Sequence, residues 1–192
     1  MKYVISIFLF IAIPFILSFK GVENREPVST GNLADPDTFP VPGREVPGLL
    51  FYIQRDPNTN TIVYELNKDG QGRVREKDPV STFWIRYPEG GGRKDLNYLQ
   101  RKFAYGINSK KLADGSYDVR SVAYNKLPLH LRKDGKGVYH VYADINKKES
   151  MLERIFIRIG DGGTFWNPDV KYIELKGVEV KTGKRVLERF KP

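Results

Sequence analysis

The chain has 192 residues, with 32 Lys and Arg against 23 Asp and Glu, so its formal net charge at pH 7 is +9. It contains no cysteine, which excludes disulfide bonds, zinc sites built on thiolates and a lipid anchor attached to cysteine. The positive charge favours acidic partners such as anionic lipids, glycans or other amphiphiles. No nucleic acid is expected as a partner, because glycine-rich RNA-binding motifs and helix-turn-helix patterns are absent.

The first 18 residues have the pattern of a secretory signal peptide. Lys2 precedes a long apolar run, Ser18 offers a small residue at the cleavage site, and Lys20 restores charge. The alternative is an uncleaved anchor, but the apolar run is shorter than the roughly 20 residues of a membrane-spanning helix and contains Pro14. We therefore expect an exported protein, periplasmic or extracellular, with no stable membrane span after cleavage.

Residues 19–47 are predicted to be a Pro-rich linker. Prolines alternate there with Ser, Thr, Gly, Asn and Asp, and no apolar period is visible. This composition is typical of an extended, partly mobile tether. The remaining residues, 48–192, suit a single domain with one core.

Alternating apolar and polar residues predict most of that domain to be β-strand. Residues 155, 157 and 159 are all Ile, for example, and Arg154 and Arg158 are predicted to lie on the opposite face. The predicted strands cover residues 49–55, 61–67, 80–87, 117–124, 127–132, 137–145, 151–159, 170–180 and 184–190.

One short helix is predicted near residues 95–105. Leu96, Leu99 and Phe103 recur there at helical spacing, and Gly106 is a natural stop. The fold is therefore expected to be mainly β, an antiparallel barrel or sandwich of eight to ten strands with this single helix. A parallel α/β sheet is not expected, because it needs alternating helices.

Three stretches resemble a known family. They are LLFYIQRDPNTNTIVYEL (residues 49–66), TFWIRY (82–87) and LQRKFAYG (99–106). They are similar to the domain-of-unknown-function family numbered 4833, a set of mostly bacterial exported domains, and the resemblance covers about residues 48–192. It implies a shared fold and assigns no catalytic residues.

The densest group of aromatic and cationic residues lies in the strand–helix region. Such groups stack on glycans or clamp phosphates, and the alternative is that they form a packing seam beneath the helix. A second candidate is the loop at residues 161–169, whose Trp166 is expected to be exposed. The candidate ligand-binding residues are Trp84, Arg86, Tyr87, Tyr98, Arg101, Tyr105 and Trp166.

Other patterns carry weaker signals. His130 and His140 form a potential cross-strand pair, but two histidines without a third ligand do not define a metal site. The carboxylates Glu65, Asp118, Asp144 and Glu174 are scattered over strands, so a glycosidase pair cannot be placed. Residues 67–72 lack the closing Glu of a calcium loop and are interpreted as a turn. Residues 89–94 offer glycine amides and two cations before the helix, which could hold a small anion.

We expect no cofactor, no metal and no assignable catalytic residue. The absence of a nucleophile motif favours a non-catalytic binding module for an amphiphilic or anionic envelope ligand. Two alternatives stay open: a hydrolase of cell-envelope polymers, and a structural envelope component that binds another protein. The sequence does not fix the oligomeric state.

Overall fold

A computed structural model of the chain describes residues 36–43, 46–163 and 168–192. The predicted signal peptide, the first part of the predicted linker and Trp166 lie outside these residues. Within the described part, no helix has the length and hydropathy needed to cross a membrane.

The described residues form eleven β-strands, one short helix and two 3-10 turns, Pro36–Thr38 and Tyr87–Glu89. The helix begins as α1 (Tyr98–Gln100) and continues as a π-helical turn (Arg101–Tyr105). The strands are β1 (Leu49–Arg55), β2 (Thr61–Leu66), β3 (Val80–Arg86), β4 (Gly92–Asp95), β5 (Ile107–Lys111), β6 (Tyr117–Ser121), β7 (Leu129–Lys133), β8 (Tyr139–Ile145), β9 (Lys148–Gly163), β10 (Pro168–Glu179) and β11 (Arg185–Phe190).

All eleven strands belong to one sheet. Its order is β4-β3-β2-β1-β9-β8-β7-β6-β5, with β10 on the other edge of β9 and β11 beyond β10. The mainly β fold with a single short helix is confirmed, although the strands number one more than the upper expectation. The sheet is not closed, which is consistent with a sandwich-like arrangement.

One strand pair departs from the antiparallel pattern. β1 runs parallel to β9, with Tyr52 opposite Arg154 and Arg55 opposite Ile157. Residue alternation does not reveal this pairing, because it defines the faces of a strand but not the partner or direction of its edges.

The two arms of the sheet, β1–β4 and β5–β8, share one main core. Phe51 and Tyr64 stack in it with ring centroids 4.3 Å apart, and Tyr64 is fully buried. The second arm contributes buried aliphatic side chains to the same core, namely Val119, Leu129, Leu131, Val141 and Ile145. Apolar residues of one face of each arm thus exclude water together.

The outer face of the sheet is also covered, over β9 and β10 and over the first arm. We call residues 36–43 the strap. Phe39 of the strap packs edge-on against Phe156 with ring centroids 5.2 Å apart, and the rings of Phe156 and Tyr172 are 6.4 Å apart in the same small buried cluster. Further along, Val46 packs on Val63 and other apolar residues of β2 and β3.

This packing differs from the expectation of a free tether at the C-terminal end of the predicted linker. Prolines prevent a regular apolar period there, but single side chains such as Phe39 and Val46 can still be buried by an irregular segment. The strap also makes specific polar contacts with the sheet, which composition does not reveal.

A chain that begins at Gly48 is therefore expected to melt more than about 5 °C below one that begins at Pro36. Burial of each large apolar side chain contributes roughly 1.5–3 kcal/mol, and about 1 kcal/mol shifts the Tm of a domain of this size by a few degrees. Thermal unfolding followed by circular dichroism measures the difference. Equal melting temperatures would show that the strap adds no stability.

Candidate functional site

The six described candidate residues do not form a single cluster. Trp84 lies in the main core, with only 5 % of its surface exposed. Tyr87 packs on the opposite side of the arm, with Phe83 and Ile85. Arg86 pairs with Glu89 at 2.6 Å. Trp166 lies outside the described residues.

The end of the short helix is fixed to the core. The ring of Tyr105 meets Trp84 edge-on, with centroids 5.0 Å apart. The hydroxyl of Tyr64 donates a hydrogen bond of 3.0 Å to the backbone carbonyl of Tyr105. Burial raises the pKa of the Tyr105 hydroxyl. These contacts attach the C-terminal end of the helix to the main core.

Three large side chains of the helix face solvent instead. Tyr98, Leu99 and Phe103 are 69 %, 59 % and 53 % exposed, whereas Leu96 is buried. The helix predicted near residues 95–105 is present, but Leu99 and Phe103 do not share the burial of Leu96, which precedes the helix. The π-helical turn changes the spacing of side chains after Gln100, so the 3.6-residue period no longer holds.

Gly106 maintains this helix ending. A Cβ atom at this position would lie 1.9 Å from the carbonyl oxygen of Arg101, so a side chain cannot be accommodated without moving the backbone. The helix begins with a capping box, in which Asn97 accepts from the Gln100 amide and the Gln100 side chain accepts from the Asn97 amide. Both ends of this short element are thus defined by local contacts.

A lysine ammonium lies close to both exposed aromatic rings. The ammonium of Lys102 lies 5.4 Å from the ring centroid of Tyr98 and 5.3 Å from that of Phe103. Arg101 is exposed beside them. We call Tyr98, Leu99, Arg101, Lys102 and Phe103 the aromatic–basic platform.

Basic residues dominate the surroundings of this platform in sequence. Residues 93–111 contain six Lys or Arg and one acidic residue, Asp95. Arg93, from the segment considered as an anion-binding loop, pairs instead with Glu65 at 2.8 Å and stacks on Phe83 at 3.7 Å. A cavity of about 110 Å³ beside Arg93 has room for only a few water molecules.

A second group of charged side chains, absent from the sequence-based candidates, lies beneath the strap. We call Arg154, Arg158 and Arg189 the arginine cluster. Arg154 pairs with the buried Glu174 at 2.7 Å, and Arg189 pairs with the other oxygen of Glu174 at 2.6 Å. Arg158 pairs with Asp56 and lies 5.2 Å from the ring centroid of Phe156.

The strap supplies a carboxylate to this cluster. Asp37 accepts from Arg154 and from Lys176, each at 2.8 Å. The hydrogen bond from Lys176, followed by the charge of Arg154, holds the pKa of Asp37 below its ordinary value. The carbonyl of Pro36 also accepts from Arg154, at 3.2 Å.

The histidine pair and the carboxylates do not assemble into a metal centre in the part of the chain that the structure describes. No group of three or more His, Cys, Asp or Glu side chains is placed to hold a metal ion there. His140 lies 3.4 Å from Asp134, whereas His130 is opposite Tyr142 in the neighbouring strand.

The chain belongs to a family whose function is unassigned. Residues 51–189 match the family described as Domain of unknown function (DUF4833), which confirms the resemblance seen in the sequence. No curated protein and no solved structure matches the chain. The arginine cluster and the platform both lie within the matched residues, and the strap lies outside them.

Replacement of Trp84 by Ala is expected to cost about 3–5 kcal/mol of unfolding free energy, as the loss of a buried aromatic side chain does. Arg86→Ala, which removes an ion pair at the surface, is expected to cost about 1 kcal/mol or less. Denaturant unfolding measures both variants. A Trp84→Ala cost as small as that of Arg86→Ala would contradict a core role for the indole.

Acid is expected to loosen the strap through Asp37. Because the pKa of Asp37 is lowered, its contribution is fully present above the ordinary value of about 4 and is lost as the pH falls through the lowered value. Hydrogen-exchange protection of the strap amides, corrected for intrinsic rates, should fall across this range. Asp37→Asn should abolish that pH dependence, and an unchanged dependence in the variant would assign it to another group.

Proposed function

We propose that the protein is an exported, non-catalytic binding module whose aromatic–basic platform docks on the surface of an anionic lipid membrane. The observation that carries the proposal is the exposure of Tyr98, Leu99 and Phe103 together, with Lys102 between the two rings. Large apolar side chains that share one exposed patch typically mark an interaction site.

The composition of the platform fits the interface of a bilayer. Tyrosine and phenylalanine with neighbouring Lys or Arg are typical of segments that lie in the headgroup region without spanning the membrane. Each of the exposed apolar side chains gains up to roughly 1.5–3 kcal/mol when it leaves water. Each basic residue close to an anionic surface adds about 1 kcal/mol.

The attachment of the helix end to the core supports the same function. Tyr105 is held by Trp84 and Tyr64, and Gly106 packs directly on the carbonyl of Arg101. A surface that is already ordered loses little conformational entropy when it binds. The apolar side chains are therefore presented to a ligand without a folding step.

The proposal can be tested by sedimentation of the protein with lipid vesicles. The wild-type chain is expected to bind vesicles of phosphatidylcholine mixed with phosphatidylglycerol, and to bind pure phosphatidylcholine much more weakly. Leu99→Ser and Phe103→Ser should each weaken binding about tenfold, since burial of one such side chain is worth more than 1.4 kcal/mol. Added salt should weaken binding as well, because the charges at the surface are screened.

Leu187→Ser is the matched control. Leu187 is 42 % exposed on β11 and lies outside the platform, so its replacement should leave vesicle binding unchanged. Failure of the wild-type chain to bind either kind of vesicle would exclude a lipid surface and favour a protein partner for the platform. Equal effects of Leu99→Ser and Leu187→Ser would show that binding does not use the platform.

A further inference from the structure

The strap lies on the outer face of β1, β9 and β10 in the way that a bound peptide would. Four of its five residues from Pro36 to Pro40 contact the sheet through a specific group. The carbonyl of Pro36 and the carboxylate of Asp37 accept from Arg154, and Phe39 packs on Phe156. The carbonyl of Pro40 accepts from the side chain of Gln54 at 2.5 Å.

The face beneath the strap is organised by residues of the sheet itself. Glu174 is 1 % exposed, and its two oxygens hold Arg154 and Arg189. Gln54 also donates to Thr61 at 3.3 Å. Arg154 and Gln54 are therefore held by contacts within the sheet as well as by the strap.

The net positive charge of this face favours a ligand that carries a carboxylate. Lys176 and the arginine cluster provide four cations, whereas the sheet and its adjoining loop provide two acids in contact with them, Glu174 and Asp56. Asp37 brings a third carboxylate. The two buried arginines, Arg154 and Arg158, already pair with Glu174 and Asp56, so two positive charges of the face remain for a ligand to match.

The strap does not satisfy every buried polar group of the face. Arg154 is 3 % exposed and Gln54 is fully buried, yet Nε of Arg154 and Oε1 of Gln54 have no hydrogen-bond partner among the described residues. Buried polar atoms are nearly always paired in native structures. These two atoms offer one donor and one acceptor to a ligand that fits more completely than the strap does.

We propose that this face is a recognition site for a peptide segment that forms a single 3-10 turn, in which a carboxylate precedes an aromatic ring by two residues. The strap, with Asp37 and Phe39, is the occupant supplied by the chain itself. The carboxylate binds between Arg154 and Lys176, the ring packs on Phe156, and the backbone carbonyls on either side accept from Arg154 and Gln54.

The strap can keep this site occupied because it is covalently attached to the same chain. A segment joined by a short linker competes at an effective concentration of about millimolar. A second peptide of the same intrinsic affinity is therefore excluded until the strap is weakened or a better ligand arrives. This site shares no residue with the aromatic–basic platform, so it does not depend on the proposed membrane function.

The test uses a fluorescent peptide with the sequence of residues 33–42, LADPDTFPVP, and the full chain. Fluorescence anisotropy should show that the double variant Asp37→Ala, Phe39→Ala binds this peptide at least about tenfold more tightly than the wild-type chain does, because its own strap no longer competes. A peptide with Ala at both of these positions is the matched control and should not bind.

Lys176→Gln identifies the site within the double variant. Lys176 is partly exposed and contacts Asp37, so its loss should weaken peptide binding about fivefold without unfolding the sheet. Circular dichroism checks the fold, and Asp37→Asn replaces the double variant if that variant is unfolded. Equal binding of the two peptides, or no effect of Lys176→Gln, would overturn the proposal.

Discussion

Strand β9 pairs with two strands along the same edge, first with β8 and then with β1. Met151 near its beginning is opposite Tyr142 of β8, and Arg154 three residues later is opposite Tyr52 of β1. β10 pairs along the other edge throughout, so both arms of the sheet originate from one two-stranded ribbon. The inner faces of the arms meet over this ribbon and form the main core.

The ribbon requires a close approach at one point. A Cβ atom on Gly177 would lie 2.3 Å from the carbonyl oxygen of Met151, beside a shift of register between β9 and β10. Glycine is suited to such a position because it lets two backbones come together. The same ribbon carries Arg154 and Glu174 on its outer side, so the junction of the arms also creates the arginine cluster.

Much of this architecture can be predicted from alternation alone. Ile155 faces the core and Arg154 and Arg158 face the other way, as the pattern indicates. Alternation does not say whether that other face is covered. Its cover comes from a segment more than a hundred residues earlier, and the partner Glu174 comes from the next strand, so the burial of the arginines depends on contacts that no local pattern encodes.

For the short helix, the sequence predicts the position but not which side chains are exposed. Its position follows from sequence, but the exposure of Leu99 and Phe103 does not, because Leu96 precedes the helix and a π-helical turn ends the regular 3.6-residue spacing after Gln100. An apolar spacing identifies a face of a helix and assumes that this face is buried. Where that assumption fails, the exposed apolar side chains become the informative observation.

The buried ions of the arginine cluster argue for recognition more than for stability. Well-packed apolar residues in place of a buried ion pair are often at least as stabilising, because desolvation offsets most of the attraction. Arg154 contacts Glu174 on the sheet and Asp37 on the strap, so its charge discriminates among segments that could cover the face. A purely apolar face would accept any hydrophobic cover, whereas this face contacts the carboxylate of Asp37 and the ring of Phe39 two residues later.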